Sequence, residues 1–196
     1  MVINVRGTSG SGKTTVVRGV FKAGTAEKLF ATEDDGSLFG KQSPKPEAYR
    51  VDVDGVARPV FVIGSYEQVC GGCDSIGTQD EVCDRVRRYA AKGHVLLEGL
   101  LISHLFSRYA ALDRELQPTR YVWAFLDTPL ELCLARVEQR RLERGVTKPL
   151  NPTNTTQKWH DAHRVFAKCQ AAGLDARWVD HQTATADVLA WLLGGQ

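Results

Sequence analysis

The chain has 196 residues, 43% hydrophobic and 24% charged, with a formal net charge of +2. That length suits one domain with a sizeable apolar core, and the composition is that of an ordinary soluble globular protein. No run approaches the roughly 18 apolar residues that would span a bilayer. The five cysteines, an odd number, read as reduced thiols rather than a disulfide framework.

The first predicted element is a short buried strand over residues 2–5, and its position at the very start leaves no room for a signal peptide, so the expected location is cytoplasmic. Gly7-Thr8-Ser9-Gly10-Ser11-Gly12-Lys13-Thr14 follows, a G-x-x-x-x-G-K-[ST] phosphate-binding loop. Its glycines let successive N–H groups converge on one anion, Lys13 brings a mobile charge to the β- and γ-phosphates, and the Thr14 hydroxyl suits Mg²⁺. Thr15 completes the set of nucleotide-binding residues. The loop opens a helix over 13–23, whose free N–H groups also favour an anion, and Gly24 stops it.

Residues 25–47 carry loop composition, with Glu33, Asp34, Asp35, Gly36, Pro44 and Pro46. Tyr49, Val51 and Val53 alternate, Asp54-Gly55 marks a turn, and Val60-Phe61-Val62-Ile63 follows, so a hairpin feeds a core strand, with Pro59 at the strand's start. Residues 24–58 are thus expected as a loop and hairpin insertion in a single domain covering 1–196. Thr78-Gln79-Asp80-Glu81 is a capping box for a helix ending before Gly93. A buried strand over 94–98 ends in Glu98, residues 101–116 read as one helix, and 121–127 as a further core strand. Thr128-Pro129-Leu130-Glu131 is a second capping box, for a helix ending at Arg144-Gly145. A helix over 154–172, a strand over 177–179 and a helix over 185–193 close the chain. Strands alternating with helices give an α/β fold of three layers, a mostly parallel sheet with helices on both faces.

Three constellations carry candidate chemistry. Glu98 ends an apolar strand, where α/β sheets place ligand groups, and an acid there can hold Mg²⁺ through water. Arg136, Arg140 and Arg144 share one helix face, with Leu130, Leu134 and Val137 on another. Beside a phosphate loop this stripe reads as a lid over residues 140–151, its guanidinium groups stabilising charge on a transferring phosphoryl group. Cys70-Gly71-Gly72-Cys73-Asp74-Ser75 has two readings. Cys70, Cys73 and Cys83 could be three ligands of a zinc site. Alternatively the segment is a substrate loop in which Asp74 accepts a proton from an acceptor hydroxyl, with Asp34 and Asp35 as alternative bases and Asp80 and Glu81 as weaker ones.

The phosphate loop, Val95-Leu96-Leu97-Glu98-Gly99-Leu100-Leu101, and Phe125-Leu126-Asp127-Thr128-Pro129 with the arginine helix together resemble the P-loop kinase superfamily, in particular its uridine kinase branch. The resemblance covers about residues 1–23 and 94–150. It implies a five-stranded parallel core of order 2-3-1-4-5, with ATP and Mg²⁺ as donor. No usual uridine kinase acceptor motif stands in residues 64–80. There the chain resembles bacteriophage P-loop kinases, including those that phosphorylate 5-hydroxymethyluracil bases within DNA.

That resemblance implies transfer of the ATP γ-phosphoryl group to a hydroxyl, either on a modified pyrimidine in DNA or on a free nucleoside or nucleotide. A nucleotide-dependent switch is the rival class, but the chain lacks the Asn-Lys-x-Asp motif of a GTPase. If DNA is the acceptor, Arg85, Arg87, Arg88, Lys41 and Lys45 are candidate phosphate contacts, and Tyr66 or Trp159 could stack on an extruded base.

Overall fold

A computed structural model describes residues 1–31, 45–68 and 71–195. Asp34, Asp35, Lys41 and Cys70 lie outside the described residues. The strands are β1 (Val2–Arg6), β2 (Gly24–Leu29), β3 (Ala48–Val53), β4 (Val60–Ile63), β5 (His94–Glu98), β6 (Tyr121–Asp127) and β7 (Ala176–Asp180). The helices are α1 (Lys13–Lys22), α2 (Gln79–Ala90), α3 (Ser107–Glu115), α4 (Leu130–Glu143), α5 (Thr153–Ala171) and α6 (Ala184–Leu192). Short 3-10 turns occupy Cys73–Ser75 and Ile102–His104.

The strands form one sheet of seven, in the order β2-β3-β4-β5-β1-β6-β7. Seven strands correct the expectation of a five-stranded sheet, and β2 and β3 make the order of the whole sheet different; counted among themselves, the five parallel strands run 2-3-1-4-5. Neighbours from β4 to β7 run parallel, while β2 and β3 are antiparallel additions on one edge. The β3–β4 hairpin forms as read, with Pro59 directly before β4. β2 falls in the stretch whose composition suggests loop. It pairs with β3 from Gly24–Val53 to Leu29–Ala48, and its central residues are exposed on both faces, so no buried position marks it.

Side-chain alternation along β1 builds two cores, one on each face. Ile3 and Val5 pack with Val16, Val17 and Val20 of α1 and with Val188 and Trp191 of α6. Val2 lies on the other face, with Val82 and Val86 of α2, Leu112 of α3 and Val165 and Cys169 of α5. Arg6, fully buried, shares that second face, its guanidinium 4.1 Å from the Trp123 ring centroid and 5.1 Å from that of Tyr109. Burial lowers its pKa to about 10. Arg6 donates a 2.8 Å hydrogen bond to the Leu105 carbonyl. Leu105 is extended there, and the single helix expected over 101–116 is instead a 3-10 turn and α3.

The helix ends follow local chemistry. Thr78 caps α2, its hydroxyl accepting from the Glu81 N–H at 3.1 Å. Glu81 turns to Arg85 instead of completing the reciprocal bond. The second capping box does not form. Thr128 donates to the Ser11 carbonyl at 2.9 Å, which ties the start of α4 to the phosphate loop. α4 ends in a Schellman pair, Gly145 N–H to Leu142 O at 2.8 Å and Val146 N–H to Arg141 O at 3.0 Å. Among the described residues, no helix is long and apolar enough to cross a membrane.

Candidate active site

The carboxyl ends of β1, β4 and β5 meet at a cleft of about 480 Å³, as expected for a ligand site in a parallel sheet. Ser9, Gly10, Gly12, Lys13, Thr14 and Thr15 line it from the phosphate loop. Gly71, Asp74, Glu98 and Leu100 contribute one part of the wall, and Arg136 and Arg140 of α4 another. Gly7, Thr8 and Ser11 do not line the cleft; they fasten the loop from behind. The Gly7 N–H donates to Ser103 Oγ at 3.1 Å, the Thr8 hydroxyl to the Thr155 carbonyl at 2.8 Å, and the Ser11 hydroxyl to the Thr8 carbonyl at 2.8 Å.

Lys13 is buried, and its Nζ donates to the carbonyls of Gly7 at 2.9 Å and Thr8 at 2.8 Å. Burial lowers its pKa, opposed by the charges of Glu98 and Asp74. Glu98 is 2% exposed and accepts a 3.0 Å hydrogen bond from the Thr14 hydroxyl. Burial raises its pKa, and Lys13 and the Thr14 bond oppose the rise. The backbone of Gly72 passes directly over this acid at φ 75°. A Cβ there would lie 2.6 Å from the Glu98 carbonyl and 2.9 Å from its Oε1, so only glycine keeps the carboxylate clear. Asp74 faces the cleft with both oxygens held, Oδ2 accepting from Leu100 N–H at 2.7 Å and Oδ1 from Leu101 N–H at 3.0 Å.

The arginine stripe divides. Arg136 donates to the Gly10 carbonyl at 3.2 Å and Arg140 lines the cleft, whereas Arg144 caps the helix and is not among the lining residues. The DNA-contact candidates divide too. Arg85 and Arg88 serve a buried Glu47, which also accepts from the Tyr89 hydroxyl, and Arg87 pairs with Asp84 and Glu115. Asp80 pairs with Arg108, and Glu81 with Arg85. Tyr66 packs edge-on to Phe21 and Tyr49, and Trp159 packs on His163 while donating to the Thr128 carbonyl, so both rings are engaged within the protein. Lys45 is exposed.

Cys73 and Cys83 are buried thiols whose pKa burial raises, which disfavours the thiolate a metal needs. Among the described residues, no group of three or more His, Cys, Asp or Glu side chains is placed to hold a metal ion.

Three cleft residues, Leu100, His181 and Arg18, escaped the sequence reading. His181 directly follows β7, and the general placement of ligands at strand ends was the available signal. Arg18 lies one helical turn beyond Thr14 on α1, a spacing that puts both on one face.

A glycine-rich loop between β1 and α1, an acid at the end of the neighbouring parallel strand and arginines from a later helix together define a P-loop kinase. No protein-family model matches the chain. It is 37% identical to the 5-hmdU DNA kinase of Pseudomonas phage PaMx11, over 93% of this chain and 92% of that one. It is 32% identical to the 5-hmdU DNA kinase of Pseudomonas phage M6, over 96% and 95%. Among solved structures, shikimate kinase from Acinetobacter baumannii in complex with shikimate matches with a TM-score of 0.44 at 18% identity, covering 98% of this chain and 93% of that one, a likeness too distant to carry an argument. The chain belongs to the bacteriophage 5-hmdU DNA kinase family.

Proposed function

We propose that this chain transfers the γ-phosphoryl group of ATP to the hydroxymethyl oxygen of 5-hydroxymethyluracil in DNA, a step in DNA hypermodification. What carries the reading is one cleft that joins a phosphate loop to an acceptor-side acid, Asp74, in a chain whose full-length relatives bear that name. The acceptor oxygen attacks the γ-phosphorus, the bond to the β-phosphate oxygen breaks, ADP leaves, and the hydroxyl proton passes to Asp74. The two backbone N–H groups on Asp74 each occupy one lone pair of an oxygen, so a second on each remains for that hydroxyl. Lys13 and Arg140 stabilise the charge spreading over the transferred group, and residues 140–151 act as a lid.

The donor set also suits Mg²⁺. Thr14 Oγ1 and the Glu98 carboxylate are hard oxygen ligands hydrogen-bonded to each other, and Glu98, though buried, lines the cleft, where the missing Cβ of Gly72 keeps its Oε1 clear. These two residues would hold the ion, which when bound neutralises phosphate charge.

The test is a labelled-ATP transfer assay run in parallel on free nucleosides, nucleotides, unmodified DNA and DNA carrying 5-hydroxymethyluracil. Label should enter the modified DNA alone. That transfer should weaken steeply as salt rises, because phosphate contacts release counterions. Transfer to free nucleosides without transfer to modified DNA would overturn the reading. Within the same assay, Asp74→Asn and Arg140→Ala should lower kcat by about 10²–10³ with little change in KM for ATP, as expected for groups that act in the transition state. Arg144→Ala should cost far less. A drop in melting temperature with unchanged kcat would show instead that Asp74 and Arg140 are structural.

A further inference from the structure

We propose that Leu101 is the plug that enters a DNA duplex in place of the extruded base, which makes duplex DNA, rather than only single strands, a substrate of the cleft. The proposal rests on the DNA-acceptor reading above.

Extruding a base leaves a gap one base wide, and proteins that hold DNA in such a state insert apolar side chains between the base steps. A plug of this kind must be apolar, exposed, beside the pocket that receives the base, and rigidly backed. Leu101 meets each condition. It is 46% exposed. Of the five large apolar side chains exposed among the described residues, it alone directly follows a cleft-lining residue, Leu100.

Its backing is built from side chains at distant positions in the sequence. The Asp74 carboxylate grips the two adjacent amides, Leu100 N–H at 2.7 Å and Leu101 N–H at 3.0 Å. Gly99 allows this close approach, since a Cβ there would sit 3.0 Å from Asp74 Oδ1. On the other side Ser103 donates from its hydroxyl to the Gly99 carbonyl at 2.6 Å and accepts from the Gly7 N–H at 3.1 Å, which joins the same tip to the phosphate loop. The tip is therefore fixed relative both to the acid that receives the acceptor hydroxyl and to the loop that holds the donor. A leucine kept in water on so constrained a turn loses the stabilisation of burial. Stacking into the duplex gap restores it, and the acceptor is thereby registered against Asp74.

The experiment compares three oligonucleotides carrying one 5-hydroxymethyluracil: fully paired, opposite an abasic site, and single-stranded. Wild-type protein should phosphorylate all three. Leu101→Ala should lose about tenfold on the paired duplex, where the cost of extrusion is greatest, and stay within about twofold on the other two. Leu101→Met, which keeps an apolar side chain of similar volume, should restore the paired substrate. Equal losses on all three would show that Leu101 merely supports the cleft, and no loss on any would show that nothing is inserted; either overturns the plug. Wild-type protein active only on the single strand would overturn the plug and leave the proposed function standing. No transfer to any of the three would remove the DNA reading, and the plug with it.

Discussion

Lys13→Ala is expected to lower phosphoryl transfer by about 10²–10³, the cost of deleting one preorganised charge from a phosphoryl-transfer site, while the fold survives. Lys13 is buried against the carbonyls of Gly7 and Thr8, where burial lowers its pKa and the charges of Glu98 and Asp74 oppose that fall. In the proposed mechanism this ammonium meets the transferred phosphoryl group, and alanine supplies nothing in its place. The loop should nonetheless keep its shape. Ser11 still donates to the Thr8 carbonyl, Thr8 to Thr155, and Thr128 to the Ser11 carbonyl. Labelled-ATP transfer and a thermal melt on the same preparation check both halves. Near-normal transfer by Lys13→Ala would remove the phosphate loop from the mechanism.

Glu98→Gln is expected to do two opposite things: lower transfer by about 10–100-fold, as loss of a metal-supporting carboxylate does, and raise the melting temperature at neutral pH. The sign follows from burial. The folded-state pKa of Glu98 lies above its ordinary value of 4.5. The stabilising contribution of the neutral acid is therefore fully present below the unfolded value and is lost as pH rises through the raised folded one. Around neutral pH the unfolded chain ionises this group at no cost, whereas burial in the fold opposes that charge. Glutamine removes that charge and still accepts the Thr14 hydrogen bond through its amide oxygen. The gain in stability should shrink as pH falls and vanish below the unfolded pKa. Melting curves of both proteins across that range check it, and a variant less stable than wild type at pH 7 would show that ionised Glu98 stabilises the fold.

What could be read in the sequence was local. Val2 to Thr14 announces strand, phosphate loop and helix within a dozen residues, each step with its own chemistry. Glu98 could be read because Val95-Leu96-Leu97 is an apolar run and the acid ends it. The edge strand β2 escaped because neither of its faces is consistently buried, so Gly24 to Leu29 carries no alternation. Thr128 misled for a different reason. Its motif satisfies the local rule for a helix cap, but the Ser11 carbonyl, 117 positions earlier, takes its hydroxyl. The site shows the same division. The loop residues were local, and so was Arg18, one turn along the helix that the loop opens, whereas the hold of Asp74 on Leu100 and Leu101 and the arrival of His181 in the cleft depend on pairings that only the folded sheet makes.

The hydroxyls of Thr8 and Thr128 have a mechanical consequence. One moors the phosphate loop to the first turn of α5, the other to the approach to α4. The arginine helix and its successor are thus pinned to the nucleotide site at their near ends, while the stretch that joins them, from Arg144 to Pro149, is exposed throughout. The bridge runs from the unmoored end of α4 to the moored start of α5, and Arg141 donates to the Lys148 carbonyl within it. If the proposed lid closes there, neither mooring lies within the bridge, so the phosphate loop beneath would keep its register.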